Sequence, residues 1–337
     1  MTIDTIRPDL TGALGEVSAK VEAAMHADLN QSLAGSNDLL REVVNYALFG
    51  GGKRIRPFLC VQASRCCGRD DTTLYTLAAA IEYLHTATLM HDDVVDHAPL
   101  RRGRQTTAKR YSLEDAILAG DWLHTRSLYM VGKLTGVDGL DSFCAATAAM
   151  VNGEFVQKRL SGNCRATEEE YFAVIEQKTG NLIASACALG AVYASAKPAQ
   201  KEALQQYGQQ IGLAFQIVDD LLDYTAREEQ TGKEVGNDFK EGKVTLPLIR
   251  ALTRADARER DSMARLMQGD RTKPEAQEAI FAAIDRLGGF QSAAVTAQKH
   301  VDQALQALDR LAAESISNNE TVALLRELAG FILARKK

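Results

Sequence analysis

The chain has 337 residues, a formal net charge of −5, six prolines and one Trp. The acidic balance and the lack of an extended basic tract argue against nucleic acid as a partner. Length alone favours two domains, but helix-period apolar spacing runs almost throughout with no strand-like alternation of any length, so one all-α domain over residues 1–337 is expected.

Cys60, Cys66, Cys67, Cys144, Cys164 and Cys187 have no metal-ligand spacing, and the N-terminus carries no basic-then-apolar leader. They read as reduced thiols of a cytoplasmic protein. The longest nearly uncharged run, Leu182 to Ala196, is too short and too rich in Ala, Ser and Gly to cross a bilayer, so it reads as a buried helix or a subunit interface.

Residues 1–33 place Leu14, Val17, Val21 and Ala24 at helical spacing after a frayed start near Pro8. Past the turn at Gly35-Ser36-Asn37-Asp38, a helix through Tyr46 and Leu48 meets Gly50-Gly51-Gly52-Lys53-Arg54-Ile55-Arg56-Pro57. The glycines stop that helix and allow close backbone approach, and Pro57 suits the first position of the next. Lys53 and Arg56 place positive charge at a helix start, against the macrodipole, so an anion is expected beside them.

A helix from Thr73 to Asp96, capped by Asp71, Thr72 or Thr73, carries the chain's first acidic motif, His91-Asp92-Asp93-Val94-Val95-Asp96. Asp92 and Asp96 lie about one helical turn apart on one face, which continues back through Thr88 and His85. The loop that follows holds Arg101 and Arg102, a tandem suited to bidentate phosphate recognition. Residues 114–131 and Asp141–Leu160 read as two further helices; Glu154 and Gln157 on the second are suggestive only. Thr167-Glu168-Glu169-Glu170 is a capping box that starts the next helix. Within that helix, Lys178 and Thr179 interrupt an apolar run, either as a snorkelling lysine or as a ligand contact.

A helix from about Glu202 to Tyr224 repeats the acidic pattern as Asp219-Asp220-Leu221-Leu222-Asp223, with Gln216 and Gly212 further back on the face. The loop from Thr231 to Lys243 is rich in Gly and Lys and suits a mobile flap over an anion. Beyond Leu248 the helices read as packing elements without chemistry.

Carboxylates a turn apart on apolar helices repel one another and resist burial, so two such stripes imply a divalent cation. All-oxygen ligands favour Mg²⁺ over Zn²⁺, and Mg²⁺ held by one or two carboxylates completes its shell with water and substrate phosphate. A phosphorylated substrate follows from that.

Taken together, the Gly51-Gly52-Lys53-x-x-Arg56-Pro57, His91-Asp92-Asp93-x-x-Asp96, Leu100-Arg101-Arg102-Gly103, Lys178-Thr179, Phe215-Gln216-x-x-Asp219-Asp220-x-x-Asp223, Gly232-Lys233 and Glu241-Gly242-Lys243-x-Thr245-Leu246-Pro247 segments resemble the trans-prenyl diphosphate synthases. The resemblance runs from about Asn45 to Leu248. It implies an isoprenoid-synthase helical bundle around a central cavity, a homodimer, and a prenyltransferase that joins isopentenyl diphosphate to an allylic diphosphate. It also implies three Mg²⁺ ions per active site and a lipid product available to membrane enzymes.

Residue by residue, the resemblance makes Asp92, Asp96 and Asp219 the Mg²⁺ ligands, with Asp93, Asp220 and Asp223 as supporting carboxylates. Arg101, Lys178, Thr179, Gln216, Lys233 and Lys243 fall in the allylic diphosphate clamp. Lys53, Arg56, His85 and Arg102 fall in the isopentenyl diphosphate site. Small Ala87, five residues before Asp92, lets a growing tail pass, with Tyr83 or Leu84 about one turn deeper and Ala80 about another. A long, octaprenyl-like product for quinone side chains is therefore expected over farnesyl or geranylgeranyl diphosphate. Lys53 and Arg56 argue against a terpene cyclase, and the intact aspartates argue against a non-catalytic regulatory subunit. Two segments depart from the family pattern: Arg104-Gln105-Thr106-Thr107-Ala108-Lys109 after the tandem arginines, and Gly180 where Ala is usual.

Overall fold

A computed structural model describes residues 8–225, 236–313 and 319–335. Helix α1 (Pro8–Ser32) leads to α2 (Asp38–Leu48), α3 (Ile55–Cys66) and α4 (Thr72–Val95). A two-residue hairpin, β1 (Leu100–Arg101) and β2 (Arg104–Gln105), precedes the short α5 (Thr107–Arg110) and the long α6 (Leu113–Leu160). Then come α7 (Glu168–Ile175), a π segment (Glu176–Gly180), α8 (Asn181–Tyr193) and α9 (Pro198–Thr225). The remainder is α10 (Asn237–Lys240), α11 (Leu246–Arg254), α12 (Ala257–Gln268), α13 (Pro274–Arg286), α14 (Gly289–Ala313) and α15 (Asn319–Ala334).

The main core lies where α4 packs on α6, α3 on α8, and α9 between α8 and α14. Helix α4 is buried along most of its length, from Leu74 to Met90. That is why its apolar residues surround the helix rather than forming a stripe. Asp71 caps it, its Oδ1 accepting from the backbone N–H of Thr73 at 3.0 Å and of Leu74 at 3.1 Å. Such a cap contributes about 0.5–2 kcal/mol. A satellite core of Tyr224, Phe239, Leu248, Met263, Met267, Ile280 and Ile284 joins α9 to α10 through α13. It anchors the segment that reaches back to the acidic end of α9.

Several expectations need correction. Helix α3 begins at Ile55, so Pro57 is its third residue rather than its first. Arg54 takes the capping position with a left-handed backbone, φ 48°. The two helices expected over 114–160 form one element, kinked at Gly136 (φ 67°, ψ −161°). The hairpin was not foreseen, because a two-residue strand has no room for alternation. Its turn residues Arg102 and Gly103 both have positive φ, 53° and 73°, as two-residue hairpin turns require. The uncharged run after Leu182 does form the buried helix expected of it: α8 packs between α3, α6 and α9.

Candidate active site

The first acidic motif ends α4. Asp92 is half-buried and Asp96 exposed, while Asp93 is 5 % exposed, its Oδ1 accepting from Arg101 Nε at 2.8 Å. The hairpin turn aims Arg102 the other way, where it donates to the Gly51 carbonyl. Gly52 is what permits this approach: a Cβ there would meet Arg102 Nη1 at 2.6 Å.

The second motif ends α9. Asp220 is buried and accepts from Tyr171 Oη at 2.7 Å and Gln216 Nε2 at 2.8 Å. Asp223 Oδ2 accepts from the Asp238 N–H at 3.0 Å, and Lys243 Nζ donates to Asp238 Oδ1 at 3.1 Å. Asp219 Oδ1 accepts from Arg335 Nη2 at 3.1 Å.

Between the two stripes stands the π segment. Its wider turn carries Lys178 and Thr179 off the helical register, a distortion common at functional positions. Lys178 Nζ lies 2.5 Å from Glu154 Oε2 and donates to Gln157 Oε1 at 3.1 Å, so both α6 residues join the site. Thr179 Oγ1 donates to Gln216 Oε1 at 2.8 Å. The contact depends on Gly212, where a Cβ would sit 2.7 Å from Gly180 Cα. This close pairing of glycines brings the π segment onto α9.

Electrostatics show that the stripes look onto one shared cation, Lys243. Burial pushes the Asp92 carboxyl up to about 6, while Lys178 opposes the rise. Burial also raises Asp96, with Glu241 adding to it and Lys243 and Lys178 opposing. Asp223 is pushed up to about 7 by burial and by Asp238, with Lys243 again opposing. Burial drives Asp220 well above the usual carboxylate range, with Asp238 adding to it. For Lys243, burial disfavours the ammonium, yet Asp238 and Glu241 outweigh it and hold the group raised. Lys178 thus acts on both Asp92 and Asp96, and Lys243 acts on both motifs.

The donors are carboxylates, and among the described residues no three His, Cys, Asp or Glu side chains converge as a ready-made metal cage. Carboxylates whose charge is this poorly offset fit Mg²⁺, which takes few protein ligands and completes its shell from water and phosphate.

Away from the acids, Arg56 Nη1 lies 3.1 Å from His85 Nε2. Burial, then Arg56 and Arg102, press the His85 imidazole well below its ordinary value, so it is neutral. Lys53 Nζ stands 4.9 Å from the Phe331 ring centroid, its ammonium lowered by burial and by Arg335. Ala80, Leu84 and Ala87 are fully buried on α4. Tyr83 is buried too, its hydroxyl donating to Asp28 Oδ2 at 3.1 Å. Lys233 lies outside the described residues.

Three residues are not marked by the sequence pattern, the first being Tyr171, the donor to Asp220. Asp238 sat in a loop read for its glycines and lysines. Arg335, over the Phe215 ring at 4.5 Å and paired with Asp219, belongs to the region beyond Leu248 that was read as free of chemistry. Its signal was the basic Ala-Arg-Lys-Lys end.

An all-α bundle presenting two DDxxD stripes to a common lysine defines a class of enzymes acting on diphosphate esters. Residues 37–284 match the polyprenyl synthetase family model. The chain is 35 % identical over 298 residues to octaprenyl diphosphate synthase of Escherichia coli, covering 88 % of this chain and 92 % of that one. It is 33 % identical over 310 residues to geranylgeranyl diphosphate synthase of Saccharolobus solfataricus, covering 90 % and 92 %. A crystal structure of a Caulobacter crescentus polyprenyl synthase complexed with calcium and isoprenyl diphosphate superposes with a TM-score of 0.84 at 33 % identity, covering 96 % of this chain and 98 % of that one. The chain belongs to the polyprenyl synthetase family, whose members are prenyltransferases of isoprenoid synthesis.

Proposed function

We propose that this enzyme condenses isopentenyl diphosphate with an allylic diphosphate to make a long-chain polyprenyl diphosphate, octaprenyl-like in length. The observation that carries the reading is the pair of acidic stripes sharing Lys243, with Lys178 facing both Asp92 and Asp96 of the first. In this reading Asp92, Asp96 and Asp219 hold Mg²⁺, three ions per site. Asp93, Asp220 and Asp223 support them, fixed by Arg101, Tyr171 and the Asp238 N–H. When bound, Mg²⁺ supplies the positive charge that stabilises the departing diphosphate.

Arg101, Lys178, Thr179, Gln216, Lys233 and Lys243 grip the allylic diphosphate, and their charges favour the extra negative charge that develops as the C–O bond breaks. Lys53, Arg56, His85 and Arg102 hold isopentenyl diphosphate with its alkene toward the allylic carbon. Neutral His85 acts as a hydrogen-bonding partner of that diphosphate rather than as a cation. The alkene attacks the allylic cation, a C–C bond forms, and a proton is lost to the released diphosphate. Buried small Ala87 and Ala80 support passage of a long tail, with Leu84 or Tyr83 at the deeper limit.

The whole chain acts as one unit. Exposed Leu118, Tyr129, Val137, Val151 and Phe155 on α6 support pairing with a second copy as a homodimer. No described helix is long and apolar enough to cross a membrane, and we place the enzyme in the cytoplasm, its product passing to membrane enzymes for quinone side chains.

The test is incubation of the protein with Mg²⁺, farnesyl diphosphate and radiolabelled isopentenyl diphosphate, followed by chromatography of the products. The reading expects label in polyprenyl diphosphates longer than geranylgeranyl. Products ending at geranylgeranyl overturn the length, and hydrocarbon release without isopentenyl diphosphate overturns the reaction.

A further inference from the structure

The turn that carries Lys53 and Arg56 is anchored by the residue between them. Arg54 has a left-handed backbone, φ 48°, and is 4 % exposed. Outside glycine such a conformation is uncommon and persists only where the surroundings hold it. Its carbonyl accepts the first hydrogen bond of α3, from the Phe58 N–H at 2.9 Å, but its side chain makes no cap on α3. The guanidinium turns inward instead. Nη1 donates to Glu82 Oε1 at 2.6 Å and Nη2 donates to the Leu48 carbonyl at 2.6 Å. One planar fork therefore ties the end of α2 to the middle of α4, bracketing the glycine-rich turn from both sides.

Glu82 is 5 % exposed and lies three residues before His85 on α4, so the two are neighbours on the helix surface. Its charge also attracts the guanidinium groups of Arg56 and Arg102. Three guanidinium groups thus gather around one buried carboxylate, and without it they would repel one another. An anion beside a diphosphate subsite would weaken the ligand unless a cation took up its charge, and Arg54 does so. The turn also has somewhere to go if released: a cavity lined by Tyr46, Gly50, Arg54, Glu82, Arg102 and Arg104 lies directly against it.

We infer that the buried Arg54–Glu82 pair is a positioning device for the isopentenyl diphosphate subsite, holding the turn so that Lys53, Arg56 and Arg102 meet one diphosphate at once. Arg54 and Glu82 touch no substrate in this scheme. They act through their neighbours, so their loss should weaken one substrate selectively. The inference rests on the assignment of Lys53, Arg56, His85 and Arg102 to that subsite.

The test is steady-state kinetics of the full-length enzyme with each substrate varied in turn, for Arg54→Gly, Glu82→Gln and the control Arg56→Ala. Arg54→Gly keeps the left-handed backbone accessible and removes only the fork. Glu82→Gln keeps the shape and removes only the charge. Both should raise KM for isopentenyl diphosphate about tenfold or more, equivalent to about 1.4 kcal/mol of binding. The KM for the allylic substrate and kcat at saturation should stay within about threefold, and Arg54→Lys should recover part of the loss by restoring the charge.

Circular dichroism checks folding; should Arg54→Gly not fold, Glu82→Gln decides alone. An unchanged KM for isopentenyl diphosphate in Glu82→Gln, or an equal loss for both substrates, overturns the inference when Arg56→Ala shows the selective rise. An Arg56→Ala enzyme with unchanged KM overturns the subsite assignment itself.

Discussion

Replacing Asp92 with Asn should make the metal-free protein more stable and the enzyme inactive. Held at about 6 instead of its ordinary 3.8, the Asp92 carboxyl opposes its own ionisation in the fold. Fully expressed, that difference is about 3 kcal/mol. Residual water access at this partly open residue screens it to about 1 kcal/mol.

The sign is definite. A carboxyl whose folded value lies above its unfolded value costs stability once ionised, and the cost grows as pH rises from about 4 to about 6 and then stays constant. Asp92→Asn, which never ionises, should therefore melt with the wild type near pH 4 and about 1–3 °C above it at pH 8. Differential scanning calorimetry without divalent metal measures this. The same variant should lose at least about a hundredfold in kcat, since a preorganised charge-stabilising group is gone. A variant that melts lower than wild type at pH 8, or that keeps near-normal turnover, refutes the reasoning.

Two other substitutions probe separate parts of the scheme. Ala87→Tyr fills a fully buried position on α4 and should shorten the product; thin-layer chromatography of dephosphorylated products checks it, and an unchanged distribution removes the length argument. Tyr171→Phe deletes the hydroxyl that Asp220 accepts from at 2.7 Å, leaving a buried carboxyl with one donor fewer; urea melts should show a loss of about 1–3 kcal/mol, and stability equal to wild type would mean the bond contributes nothing.

The parts of this molecule governed by local pattern were legible from residue order. The acidic stripes follow from spacing on a helix, the Asp71 cap and the Thr167–Glu170 box from their own short signatures, and both are present in the structure. What escaped depends on contact between distant segments. The π segment is a change of register with no compositional mark, and the contact of Gly180 with Gly212 is visible only when α8 and α9 are packed. The expected departure at Gly180 has a steric reason there, since a Cβ at 180 would press Gln209 Nε2 at 3.2 Å. Arg335 lies 116 positions from Asp219 in sequence, beyond the reach of any periodicity. Pro57 falls third in α3 instead of first because Arg54 takes the capping position in a conformation that usually belongs to glycine.

In the proposed mechanism two carboxylate clusters share one metal-bound diphosphate. Calorimetric titration with a non-ionisable allylic diphosphate analogue, with and without Mg²⁺, addresses this in wild type, Asp92→Asn and Asp219→Asn. Binding should require Mg²⁺ and weaken at least about tenfold in each variant. Equal binding without the metal, or full affinity after loss of either aspartate, would contradict it.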